Sequence, residues 1–185
     1  MKTKLKPLDM TYIALFAVVI AACAWISIPA TISFTMQTFG VFVTVGILGG
    51  KRGTLAVLVY LLLGAFGAPV FAGFTGGIGC LLGSTGGYIV GFLAAALVMW
   101  GLELLLGRTY PRLALSMVAG LLVCYLFGTV WYVVVYAREA EAIGMWTALC
   151  WCVFPYVLPD LLKIGLALTL CKKLSNVVKS GKETQ

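Results

Sequence analysis

Two ionisable residues stand where an otherwise apolar chain has least reason to keep them. Asp160 and Lys163 lie in Phe154-Pro155-Tyr156-Val157-Leu158-Pro159-Asp160-Leu161-Leu162-Lys163. Spaced three apart, they share one face of a helix. Ionisable groups at membrane depth are costly and face a cavity or a partner. Read as an internal ion pair, they only orient their helix. Read as a site, they set a carboxylate acceptor beside an ammonium donor, a polar clamp for a mostly apolar ligand. Pro159 suits the first helical position, where a missing N–H costs nothing. Asp160 is then expected in the first turn, favoured by the helix dipole.

A second polar group is Ser33-Phe34-Thr35-Met36-Gln37-Thr38. Thr35 or Thr38 could cap a short helix. Gln37 carries both a carbonyl and an amide, so it could instead read a ligand amide or ureido group. The third is the glycine-rich run from Phe71 to Tyr88, which contains Phe74, Ser84, Thr85 and Gly86. It lacks a GxxxxGK[ST] motif, and its GxGxxG register fails at Leu82. Backbone N–H groups and hydroxyls among aromatic rings suit a small uncharged ring system rather than a phosphate. The chain has no His and only six acidic residues, so no catalytic triad or His-based metal site is expected. The six cysteines lack zinc-type spacing and read as small buried hydrophobes.

These groups must be positioned by membrane helices. Of 185 residues, 62% are hydrophobic and 10% charged, with a mean hydropathy of +1.09. A soluble domain carries about 25% charged residues, so soluble globular and disordered chains are excluded. Charge-free runs broken at the Ser27–Ser33 cluster and at the glycines predict six crossings: residues 9–28, 37–49, 53–66, 85–106, 112–137 and 158–178. They form a single transmembrane domain over residues 1–185. The apolar segment 143–155 precedes the last crossing, set off by Pro155 and Pro159. Trp25, Trp100 and Trp146 fall near crossing ends and read as interfacial anchors. Ala17 and Ala21 are four apart on the first helix, a spacing that permits close helix contact, either within this chain or with a partner.

Eleven of the 13 basic residues flank one set of crossing ends: Lys2, Lys4 and Lys6, Lys51 and Arg52 in the second turn, Arg108 and Arg112 in the fourth, and Lys172, Lys173, Lys179 and Lys182. Arg138, beside Glu139 and Glu141, falls on the other side, and Lys163 lies within a crossing. The positive-inside rule then puts both termini in the cytoplasm. Topology accounts for the net charge of +7 without nucleic acid as a partner. The glycine-rich segment and the first turn lie outside, where they could be compact turns or a lid over a cavity.

The chain resembles the BioY family, the biotin-binding S components of energy-coupling factor (ECF) transporters. The resemblance rests on Ala14-Leu15-Phe16-Ala17, Thr35-Met36-Gln37-Thr38, Gly49-Gly50-Lys51-Arg52-Gly53, Leu82-Gly83-Ser84-Thr85-Gly86-Gly87-Tyr88 with Gly91-Phe92, and Phe154-Pro155 followed by Pro159-Asp160-Leu161-Leu162-Lys163. It runs over about residues 10–175. It implies an all-α, six-helix S-component fold in a bacterial cell membrane, with no enzyme activity and no cofactor. Biotin would be the transported ligand, bound under the outer loops. Asp160 would accept a ureido N–H, and Lys163 would donate to the ureido oxygen or the carboxylate. Gln37, Thr35, Tyr88, Thr85, Gly86 and Phe74 would complete the site. Ala17 and Ala21 would dock onto a transmembrane coupling subunit powered by two ATPase subunits. The family commonly has Pro where this chain has Ser84, and no arginine of the fourth crossing is present to meet the biotin carboxylate. An S component for another small vitamin would share this fold. A structural membrane subunit would leave the acid–base pair without a purpose. An intramembrane enzyme would have only Asp160 and Lys163 as a dyad.

Overall fold

The structure is a computed structural model that describes residues 6–28, 33–139 and 144–183. Helix α1 (Pro7–Trp25) leads into a small hairpin, β1 (Ser27–Ile28) antiparallel to β2 (Phe34–Thr35), with Ser27 opposite Thr35. Helices α2 (Gln37–Leu48) and α3 (Gly50–Ala65) follow. A 3-10 turn (Ala72–Phe74) and the short α4 (Ile78–Leu82) precede α5 (Gly86–Leu106) and α6 (Tyr110–Glu139). The last elements are α7 (Met145–Cys152) and α8 (Phe154–Glu183).

Each of the six expected crossings is helical, and α4 and α7 lie between them. Among the described residues, four segments are long and apolar enough to cross a membrane: Pro7–Trp25, Gly86–Leu106, Tyr110–Tyr136 and Phe154–Leu174. Helix α2 is apolar but has only 12 residues. The helices are apolar on both faces. On α1, Ile13, Ala17, Ile20, Ala21 and Ala24 turn inward, while Leu15 and Val18 are exposed. Lipid tails are as apolar as leucine, so such a surface costs nothing in a bilayer.

Small residues set the helix spacing. Helices α5 and α6 form the most extensive pair. There Gly87 lies against Trp131 and Gly128 against the Tyr88 ring. The Trp131 indole N–H donates to the Gly83 carbonyl at 3.0 Å, tying α6 to the segment before α5.

A cluster of charged groups sits at one end. Gly49, at φ 84°, makes the α2–α3 turn alone. The Glu103 carboxylate accepts the Gly50 N–H at 2.7 Å, and the Arg108 guanidinium donates to the Gly46 and Ile47 carbonyls. Arg52 pairs with Asp9 at 3.0 Å, and Asp9 also accepts the Lys6 N–H. Lys51 and Arg52 thus sit in the first turn of α3, exposed, rather than in the turn before it.

Several boundaries differ from expectation. Helix α1 stops at Trp25, three residues short of 28, because the next residues enter the hairpin; residues 29–32 of the expected break lie outside the described residues. Helix α8 begins at Phe154 instead of 158 and carries Pro159 inside it. Pro155, in its first turn, takes the N-terminal position expected of Pro159, so Asp160 lies beyond the first turn and away from the helix-end charge. Ala17 and Ala21 are 1% and 4% exposed within the chain's own core. Helix α1 packs this face against α2 and α3, which corrects the expectation that it docks a partner. Cys124, Cys152 and Cys171 are buried as expected, whereas Cys23, Cys80 and Cys150 are half-buried. Trp25 and Trp146 are exposed and Trp100 is half-buried. Lys2, Lys4, Glu141 and the side chains of Arg138, Glu139, Lys179 and Lys182 lie outside the described residues.

A Cβ at Gly87 would come within 2.2 Å of the Trp131 Cβ, whereas one at Gly101 would meet nothing within 4 Å. Gly87→Ala is therefore expected to lower the thermal unfolding midpoint in detergent, costing about 1–3 kcal/mol by overpacking. Gly101→Ala should leave it level or raise it, by up to about 1 kcal/mol of helix propensity. Melting both variants beside the parent checks the pair.

Candidate binding site

At the end opposite the charged cluster, the helices leave a cavity of about 90 Å³. The hairpin contributes Ser33 and Thr35, and the start of α2 adds Gln37 and Thr38. Ala72 and Thr85 come from the segment between α3 and α5. Tyr88, Ile89 and Phe92 come from α5, and Leu121, Cys124 and Tyr125 from the middle of α6. Cys152 ends α7, and Tyr156, Asp160 and Lys163 come from the first turns of α8. Lining residues therefore arise throughout the chain, and only the assembled bundle brings them together.

Asp160 and Lys163 are each 4% exposed. Their charges meet at 2.7 Å between Lys163 Nζ and Asp160 Oδ1. Lys163 Nζ also donates to the Thr35 backbone carbonyl at 2.7 Å and lies 4.0 Å from the centre of the Phe34 ring. The Tyr125 hydroxyl donates to Asp160 Oδ2 at 2.5 Å. Each charge thus has a second partner besides the other, as ions held away from water require. A carboxylate offers about four lone-pair directions and an ammonium three protons. Asp160 keeps acceptor capacity, and Lys163 keeps one proton beyond its two hydrogen bonds.

The neighbouring polar side chains are held by one another. Gln37 donates its amide N–H to the Tyr60 hydroxyl at 2.5 Å, and its Oε1 accepts from the Thr35 hydroxyl at 3.4 Å. Thr35 Oγ1 in turn accepts the Gln37 backbone N–H at 3.3 Å. The Tyr88 and Thr129 hydroxyls are 2.9 Å apart. Phe34 stacks on Tyr156 with ring centres 6.3 Å apart. The result is a chamber with aromatic and aliphatic walls and one ionic pair in its lining.

Of the residues singled out in the sequence, Asp160, Lys163, Gln37, Thr35, Tyr88 and Thr85 line this cavity. Gly86 and Phe74 do not. Gly86 presses against the Leu81 backbone, where a Cβ would lie 1.9 Å from the carbonyl oxygen. Phe74 is 64% exposed and stacks on Trp25 at 5.1 Å. The Trp25 indole N–H donates to the Pro69 carbonyl at 2.8 Å, so this pair fastens the glycine-rich segment to the end of α1. Tyr125, Tyr60, Cys124 and Cys152 were not foreseen. Tyr125 did leave a signal: a hydroxyl inside an apolar helix must find a partner.

A family model described as the BioY family matches residues 1–180. A Thermotoga maritima protein named biotin transporter BioY is 39% identical over 166 residues, covering 88% of this chain and 93% of that relative. A Rhodobacter capsulatus protein of the same name is 34% identical over 166 residues, covering 84% and 87%. Among solved structures, the S-component for biotin from an ECF-type ABC transporter aligns with a TM-score of 0.80 over 95% of each chain at 23% identity, and so shares this fold.

Removing one member of the buried pair leaves the other uncompensated. Lys163→Met is expected to destabilise the ligand-free protein by about 3–5 kcal/mol. Tyr125→Phe removes one hydrogen bond to a charge and should cost about 1.5–3 kcal/mol. Denaturation of the two variants in detergent should rank them in that order below the parent.

Proposed function

Because this chain belongs to the BioY family, we propose that it captures biotin as the substrate-binding membrane subunit of an uptake system. The observation that carries this reading is the buried Asp160–Lys163 pair with unused capacity beside an apolar chamber. The head of biotin is a cyclic urea, with N–H donors on both sides of one carbonyl, fused to an apolar thiophane ring. Asp160 accepts a ureido N–H, and the third Lys163 proton goes to the ureido oxygen. The thiophane ring lies against Ile89, Phe92 and Leu121, with Gln37, Thr35, Tyr88 and Thr85 completing the lining. Capture of this kind needs no bond to be made or broken in the ligand.

The chain is a multi-pass membrane protein. Release of biotin to the cell interior requires energy from a partner, which we take to be an ECF module: a transmembrane coupling subunit with two ATPases. The structural neighbour, the S-component for biotin from an ECF-type ABC transporter, supports this assignment. Ala17 and Ala21 are committed to the chain's own core, so a partner gripping α1 meets its outward face, which includes Leu15 and Val18. Both termini lie in the cytoplasm on this reading, because the basic residues at the ends of α1, α3, α6 and α8 flank one side of the bundle.

Equilibrium binding of biotin to the purified protein, beside a panel of other vitamins, tests the assignment; preference for another vitamin would overturn it. Asp160→Asn is expected to weaken biotin by at least about 30-fold, since truncating one partner of a buried charge pair costs about 2 kcal/mol or more. Thr35→Ala should cost less than about tenfold, because Lys163 is held by the Thr35 backbone carbonyl and not by its side chain. Unchanged affinity in Asp160→Asn would remove the clamp.

The orientation is checked separately. In a cysteine-free background, a single cysteine at position 4 or 182 should be protected from a membrane-impermeant thiol reagent in intact cells. It should react after the cells are opened.

A further inference from the structure

We infer that this site reads the ureido head of its ligand and is indifferent to the charge on the tail, so that neutral-tailed amides of biotin bind as well as the acid. The inference rests on the reading of the cavity as a biotin site and adds what that site discriminates. Among the described residues lining the cavity, Lys163 is the only cation and Asp160 the only anion. They face each other at 2.7 Å, so the formal charge of the lining cancels and exerts no net pull on a carboxylate.

The donor inventory leads to the same result. Lys163 has three protons. One is held by Asp160 Oδ1 and one by the Thr35 carbonyl, both at 2.7 Å. The single remaining proton can serve the head or the tail, not both. Asp160 and Lys163 are locked together on adjacent turns of α8, so a ring whose N–H meets Asp160 brings its own carbonyl to Lys163. No proton is left for the carboxylate. The other polar side chains of the lining carry no formal charge: the hydroxyls of its serine, threonine and tyrosine residues, Ser33, Thr38 and Thr85 among them, and the amide of Gln37. A hydroxyl bonds a carboxylate oxygen more strongly than an amide oxygen, but the carboxylate also costs more to take out of water, so neutral hydroxyls alone do little to separate the two. A cation meeting the tail would separate acid from amide, by about tenfold or more.

The test titrates the purified full-length protein in detergent, at neutral pH, with biotin and with biotinamide, in which the carboxylate is replaced by a neutral amide. Dissociation constants within about fivefold of each other are expected. A loss of more than fivefold for the amide would show that a cation meets the tail and would overturn the inference while leaving biotin binding in place. Binding of neither compound would overturn the proposed function and this inference with it. Lys163→Met should weaken acid and amide by the same factor, and a greater loss for the acid would assign Lys163 to the tail and also overturn the inference. If that variant does not fold, the ratio for the parent protein decides alone.

Discussion

An ion pair buried in an apolar bundle must have its hydrogen bonds filled, and much of this structure follows from that requirement. Asp160 and Lys163 alone would gain little, because desolvation offsets their attraction. The Tyr125 hydroxyl and the Thr35 carbonyl fill the remaining positions. Those two bonds tie α8 to the middle of α6 and to the hairpin ahead of α2, the second across 128 residues of sequence. The polar groups that line the chamber are thus also the ones that fix how three distant segments meet. Such a pair is weak evidence of a stabilising role.

The rest of the bundle is arranged so that this pair stays dry. Close α5–α6 packing at Gly87 and Gly128 closes one wall. The Trp25–Phe74 stack and the Trp25–Pro69 hydrogen bond hold the glycine-rich segment against α1. At the opposite end, Glu103 and Arg108 satisfy the backbone around the Gly49 turn, so α2 and α3 are joined without a loop of their own. The separation of the two ends is chemical as well as spatial: one is rich in charge and solvent-facing, while the other holds a neutralised pair under apolar cover.

Much of this was legible in the sequence because membrane burial leaves few places for charge. The spacing of Lys and Arg marked helix ends, and the Asp160–Lys163 spacing marked a pair that lines the cavity. Less legible was anything decided by tertiary contact. Pro159 reads as a helix start, yet α8 begins at Phe154, since Pro155 already occupies the turn where a missing N–H is harmless. Ala17 and Ala21 have a spacing compatible with contact inside or outside the chain, and only the placement of α2 and α3 sends them inward. Phe74 has the composition of a site residue but turns outward onto Trp25. Tyr125, Cys124 and Cys152 enter the site from α6 and α7, and nothing local in the sequence announces which face of those apolar helices looks into the cavity.

Helix α2 is unusually short at 12 residues, about 18 Å of rise against a hydrocarbon layer of about 30 Å. Some 12 Å of depth is left over on its axis. The hairpin leads into the first turn of α2, and the irregular backbone after α3 lies at the same end of the bundle, much of it exposed. The chamber is in this sense a missing length of helix. Its floor is the first turn of α2, carrying Gln37, and its depth in the bundle follows from where that helix starts. Helix length, usually a matter of spanning, here determines how deep a polar lining sits within the bundle.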